Sequence, residues 1–178
     1  MKIKLLVLAA AALIAWGLKR HYSDARADDL WWILNPTAQL VSVATGAPFA
    51  AQPGEGYFSR ERLFLIEKSC AGINFMIAAF GMLVVAQCHR VRSGLTAACV
   101  LAVSLLASYG AAVVVNTVRI AIAMWLAAHP GALAALNAAD AHRLEGIIVY
   151  FVGLVLLYEL AQRIDPWSDD EEALVERR

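Results

Sequence analysis

Five stretches of this chain, residues 5–18, 69–89, 93–118, 120–139 and 146–158, contain no Asp, Glu, Lys or Arg. A helix rises 1.5 Å per residue, so about 20 apolar residues carry it across the ~30 Å hydrocarbon core of a bilayer. The charges gather at the rims of such runs, and that placement limits the possible folds more than any motif does. With 61% hydrophobic and 17% charged residues, against about 45–50% and about 25% in soluble domains, the apolar side chains exceed what one small water-soluble core can bury. The fold class read from this is an all-α polytopic membrane bundle, with roughly four to five transmembrane helices plus one interfacial or re-entrant segment. Fifteen basic and fifteen acidic residues leave no basic surplus, so no nucleic-acid partner is expected.

The predicted helices cover about residues 5–18, 69–87, 94–115 with extension toward 128, and 142–161, within a single membrane domain over 1–162. The first has a short basic start and is closed by Lys19 and Arg20 without a small-residue cleavage site. It reads as a retained anchor, with a signal peptide as the alternative. Residues 30–51 are apolar but interrupted by Pro36, Gly46, Pro48 and several Ser and Thr. That predicts an interfacial or re-entrant segment, with Trp31 and Trp32 at headgroup depth. Residues 52–56 read as a turn and 61–68 as a charged rim. The basic stretch 88–93 reads as a short cytoplasmic turn, although the basic residues taken together divide almost evenly between the two sides. His129, Pro130 and Gly131 stop the third helix; a separate crossing over 118–136 is the competing topology. The tail over 163–178 is polar and acidic, as a solvated end is.

In the four-crossing topology, reactive side chains from three helices share one depth. Cys70 opens the second helix, Asn116 and Arg119 lie where the third leaves the hydrocarbon, and His142 opens the fourth. A thiolate is the nucleophile of cysteine acyl-transfer enzymes. His142 is suited to take its proton and to protonate a leaving amine. Arg119 stays charged and is suited to stabilise a thiolate or a tetrahedral oxyanion. Asn116, three residues before Arg119, shares its helix face, and Glu145, three after His142, is placed to orient the imidazole.

Each residue also has a plainer reading. A cysteine in a membrane helix is usually a small apolar side chain, the reading given to Cys88 and Cys99. Arg119 would then snorkel to the interface and His142 would cap a helix. Only their shared depth sets a thiol enzyme beside these readings. No CxxC pair is present, metal-ligand spacing is absent, and the glycines form no phosphate loop. Haem needs histidines paired at one depth, and His129 with His142 is the nearest approach to that. No cofactor and no metal are expected.

Those same residues carry a family resemblance. GluLysSerCysAlaGly at 67–72, AsnThrValArgIle at 116–120 and HisArgLeuGluGly at 142–146 resemble the three blocks of the exosortase and archaeosortase family, over about residues 61–160. The resemblance implies a membrane cysteine protease or transpeptidase in the bacterial cytoplasmic (inner) membrane, with its site facing the periplasmic or extracellular side. It implies exported protein substrates that end in a short motif, a transmembrane helix and a basic tail. It also implies a thioester on cysteine and transfer to a surface acceptor, a lipid or a glycan. By the same resemblance Cys70 is the nucleophile, Arg119 its electrostatic partner and His142 the acid/base, while Asn116, Glu67, Asn74 and Glu145 support or orient.

The chain departs from the family pattern at two positions. Many members have a serine after the cysteine and an arginine further on, where Ala71 and Asn74 stand here. Typical members are longer, so this chain looks closest to the short exosortases of the K type. The alternative readings are a non-catalytic accessory membrane protein, or a small transporter or cofactor-binding membrane subunit.

Overall fold

The computed structural model of the chain describes residues 2–129 and 138–163. Its helices are α1 Lys2–Asp24, α2 Trp31–Thr45, α3 Ile73–Gln87, α4 Gly94–Ala128 and α5 Ala138–Arg163. Short 3-10 turns lie at Asp28–Leu30, Lys68–Cys70 and Cys88–Arg90. A small antiparallel sheet has strands β1 Ala50–Gln52, β2 Gly56–Ser59 and β3 Phe64–Ile66, in that order. Three helical segments among the described residues are long and apolar enough to cross a membrane: Lys68–Arg90, Gly94–Ala128 and Arg143–Arg163. They correspond to the second, third and fourth predicted helices. The first predicted helix is present as α1, packed along α3 and α4, with Val7 and Ala11 buried in a cluster with Phe80, Val84 and Val100. The acidic tail from 164 lies outside the described residues.

α4 is the helix that the others pack around, since α1, α2, α3 and α5 all touch it. It starts cleanly because Ser93 and Thr96 cap each other. The Thr96 N–H donates to Ser93 Oγ and the Ser93 N–H to Thr96 Oγ1, a capping box with threonine in the third position. No proline interrupts the next 35 residues, so the helix runs on for ~52 Å. Residues 118–128, the start of the alternative crossing, therefore belong to α4; most of the rest of that stretch lies outside the described residues. Ser104, Ser108, Ala112 and Asn116 recur every four residues along α4 and are all fully buried. Small side chains on one stripe let neighbouring helices approach closely.

Residues 30–51 hold a regular helix, α2, where the sequence suggests a broken segment. Thr37, Ser42 and Thr45 turn their hydroxyls back onto the carbonyls of Ile33, Ala38 and Val41, so their polarity is satisfied inside the helix. Pro36 lacks the N–H that the Trp32 carbonyl would otherwise accept. The Tyr109 hydroxyl of α4 donates to that oxygen at 2.7 Å instead. α2 has 15 residues and is thus ~22 Å long, shorter than the hydrocarbon core. Its buried face, Ile33, Leu34, Ala38 and Val41, forms the middle of the main core with Ile66, Ala71 and Ala112. The sheet that follows sits against α2 through β2, and its first turn is tied down where the Gly54 N–H donates to the Asp28 carboxylate.

α5 docks along a narrow edge. A Cβ at Gly153 would come within 2.8 Å of Val115 Cγ1, and one at Gly146 within 3.1 Å of Arg119 Nε. The two glycines stand two turns apart and bring α5 against α4. Its remaining apolar surface, including Ile147, Phe151 and Leu156, is exposed, as a lipid-facing side would be.

Candidate functional site: a cleft beside Cys70

The cleft is built at the end of the bundle opposite the 88–93 turn. There the 3-10 turn is closed by the Cys70 N–H donating to the Glu67 carbonyl at 2.9 Å and the Ala71 N–H to the Lys68 carbonyl at 3.1 Å. Gly72 then reverses the chain into α3 with φ +71°. A side chain is disfavoured there twice over, because a Cβ would also stand 3.2 Å from Asn116 Cγ. Gly72→Ala is expected to lower unfolding stability by about 1–3 kcal/mol, from left-handed strain and crowding together. Chemical denaturation in detergent checks this against Gly81→Ala, whose Cβ meets open space and whose stability should hold or rise.

Asn116 is fully buried on α4, and its Nδ2 donates to the carbonyl of Cys70. From α5, the Tyr150 hydroxyl donates to Asn116 Oδ1 at 2.8 Å and accepts from Arg119 Nη1 at 3.3 Å. The guanidinium lies over the Tyr150 ring, 5.3 Å from its centre, and Phe75 backs the same ring at 5.3 Å. Arg119 Nε is 3.9 Å from Glu145 Oε2, with side chains only 12% and 5% exposed. Such a pair is costly to desolvate and is held by the packing around it.

The opposite wall comes from α1 and the Cys70 turn. Lys68 Nζ donates to the Ser23 and Ala25 carbonyls at 3.1 and 2.7 Å, and Lys19 Nζ to Asn74 Oδ1 at 2.8 Å. Both ammonium groups flank the Tyr22 ring, 5.1 and 5.4 Å from its centre, within cation–π range. Burial pushes the Tyr22 phenol above its ordinary value, with smaller contributions from Cys70 and Glu67, so it stays protonated at neutral pH. Ser69 Oγ donates to Glu67 Oε1 at 2.6 Å and lies 3.8 Å from Cys70 Sγ. Between the walls is a cleft of about 380 Å³ whose lining includes Tyr22, Ser69, Asn74, Arg119, Arg143 and Tyr150.

The Cys70 turn, Asn116, Arg119 and Glu145 are thus joined in one chain of contacts, from the Cys70 carbonyl to Asn116, through Tyr150 to Arg119, and from Arg119 to Glu145. Glu67 reaches the neighbourhood of Cys70 through Ser69, and Asn74 is on the cleft wall. Position 142 is in α5, one turn before Gly146; the His142 side chain lies outside the described residues. His129 ends α4 and stacks on Trp125 at 4.7 Å. Cys88 is half-buried in the far turn and Cys99 is exposed. Among the described residues no group of three or more His, Cys, Asp or Glu is arranged to hold a metal ion.

Tyr150, Tyr22, Lys19 and Lys68 belong to the cleft although none stands out as a site residue in the sequence. Tyr150 had a usable signal. It falls eight residues after His142 and four after Gly146, on one face of α5, and a hydroxyl within an apolar run needs a partner.

Among the described residues the fold is mostly helical, with three helices long and apolar enough to cross a membrane, consistent with the class of polytopic membrane proteins. Compared with protein-family models, with curated proteins and with solved structures, the chain matches none.

Proposed function

We propose that the chain is an exosortase-like cysteine transpeptidase or endopeptidase. In this reading it works at the outer face of a bacterial cytoplasmic membrane, on exported proteins ending in a short motif, a transmembrane helix and a basic tail. The observation that carries the reading is the meeting of its sequence blocks at one cleft. Asn116 holds the Cys70 carbonyl, Tyr150 joins Asn116 to Arg119, and Glu145 and Gly146 close on Arg119. The departure at Asn74 is offset in kind, since Lys19 places an ammonium group on that side chain.

The Cys70 thiolate attacks the scissile carbonyl carbon near the motif, and Arg119 stabilises the oxyanion that forms. As the C–N bond breaks, His142 gives its proton to the leaving amine, and the acyl group remains on sulfur as a thioester. A nucleophile of a lipid or glycan acceptor, or water, then attacks that carbonyl and passes its proton to His142. Cys70 departs as thiolate. The test is to map the C-termini of surface-exposed proteins in the cell of origin with and without this chain. Deletion should leave sorting helices attached; identical C-termini in both cells would overturn the reading.

A non-catalytic accessory role is the second reading, with a small transporter or cofactor-binding subunit behind it. Asn116, Tyr150 and Arg119 also serve to lock α4 and α5 to the Cys70 turn, which a purely structural role explains. The described residues also offer no cluster of three His, Cys, Asp or Glu.

A further inference from the structure

The hydrogen bonds between Arg119 and the Cys70 turn have a single direction, and it is fixed by chemistry. A guanidinium only donates, so the Tyr150 hydroxyl accepts from Arg119 Nη1 and turns its own proton to Asn116 Oδ1. A main-chain carbonyl only accepts, so the Asn116 amide must present Nδ2 to Cys70. Remove the hydroxyl and the buried Asn116 Oδ1 loses the donor that helps hold the amide in place. The guanidinium loses its described hydrogen bond to α5 at the same time. The Tyr150 ring is fixed independently, between Phe75 and the guanidinium.

We propose that Tyr150 is a positioning residue, whose hydroxyl sets the Asn116 amide and the Arg119 guanidinium and through them the reactivity of the Cys70 thiol. This rests on the reading of Cys70 as a nucleophile and extends it to a side chain outside the three sequence blocks. Among the described residues, the charged and titratable groups around the cleft beside that thiol are Lys19 and Tyr22 from α1, Glu67 and Lys68 from the turn, Arg119 from α4, and Arg143, Glu145 and Tyr150 from α5. Of these, Tyr150 touches both Arg119 and Asn116.

The test uses the full chain in detergent, with Cys88→Ala and Cys99→Ala leaving Cys70 as the sole thiol, and iodoacetamide as the probe. Tyr150→Phe keeps the ring and should leave the chain folded, with its unfolding midpoint lowered for the lost hydrogen bonds. It should slow alkylation about fivefold, the effect of one modest hydrogen bond, and move the alkylation-against-pH profile toward higher pH. Asn116→Ala is the second arm and should slow alkylation similarly, with the double variant no slower than either single one. Wild-type alkylation in Tyr150→Phe, or additive effects in the double variant, would overturn the proposal. Alkylation needs no substrate, so a chain that alkylates as expected but processes nothing fails the functional reading alone.

Discussion

Cys70→Ala is expected to lower the processing of sorting signals by a factor on the order of 10⁴ or more, because it removes the thiol that forms the acyl intermediate in this reading. The substitution removes one sulfur from a half-buried turn. The stability change should therefore stay within about 1 kcal/mol, and loss of chemistry is separable from loss of fold. Cys88→Ala and Cys99→Ala are the matched controls and should process at the wild-type rate. One lies in the turn at the other end of α3, the other on the exposed side of α4. The assay follows cleavage of an exported protein in membranes of the cell of origin, together with trapping of a hydroxylamine-sensitive adduct on the chain. Full processing by Cys70→Ala would leave the accessory reading standing and remove the catalytic one.

Arg119 should show two separable losses. Arg119→Lys retains a positive charge but lacks the planar fork whose Nη1 donates to the Tyr150 hydroxyl and which lies over the Tyr150 ring. Processing should drop about 100-fold or more, with little change in the denaturation midpoint. Arg119→Ala goes further, since it removes the guanidinium beside a Glu145 side chain that is 5% exposed. Breaking one half of a buried pair costs about 3–5 kcal/mol, so the chain should be less abundant and unfold more readily in detergent. Adding Glu145→Gln to Arg119→Ala should recover much of that stability and none of the processing. Wild-type rates in Arg119→Lys would remove the oxyanion role, whatever the stability of the other variants.

The long apolar helices and several polar residues near the cleft were legible in the sequence for one reason: polar residues at the ends of long apolar runs are few. Cys70, Asn116, Arg119 and Glu145 stand out against residues that face lipid or core, and the runs themselves limit how far apart they can lie. α2 was not legible because its hydroxyl residues and Pro36 look like breaks. The bonds that accommodate them come partly from within the helix and partly from Tyr109, some 77 residues away. The sheet over residues 50–66 was missed for a different reason. Its strands have three or four residues each, too short for alternation to register. Lys68 belongs to a charged rim in the sequence, Lys19 closes the first helix and Tyr22 carries no signal of its own; only the packing of α1 on α3 brings them to Asn74 and the Cys70 turn.

α4 carries its cap at Ser93 and its contacts at Asn116 and Arg119 on one unbroken rod. The height and azimuth of the cleft above the basic turn are therefore matters of counting. One residue inserted between cap and cleft would swing Arg119 about 100° away from Tyr150. Seven would return it to nearly the same direction, about 10 Å further along the axis. Chains built on this plan can vary freely in the loops, but along α4 they can change length only in steps that keep the phase.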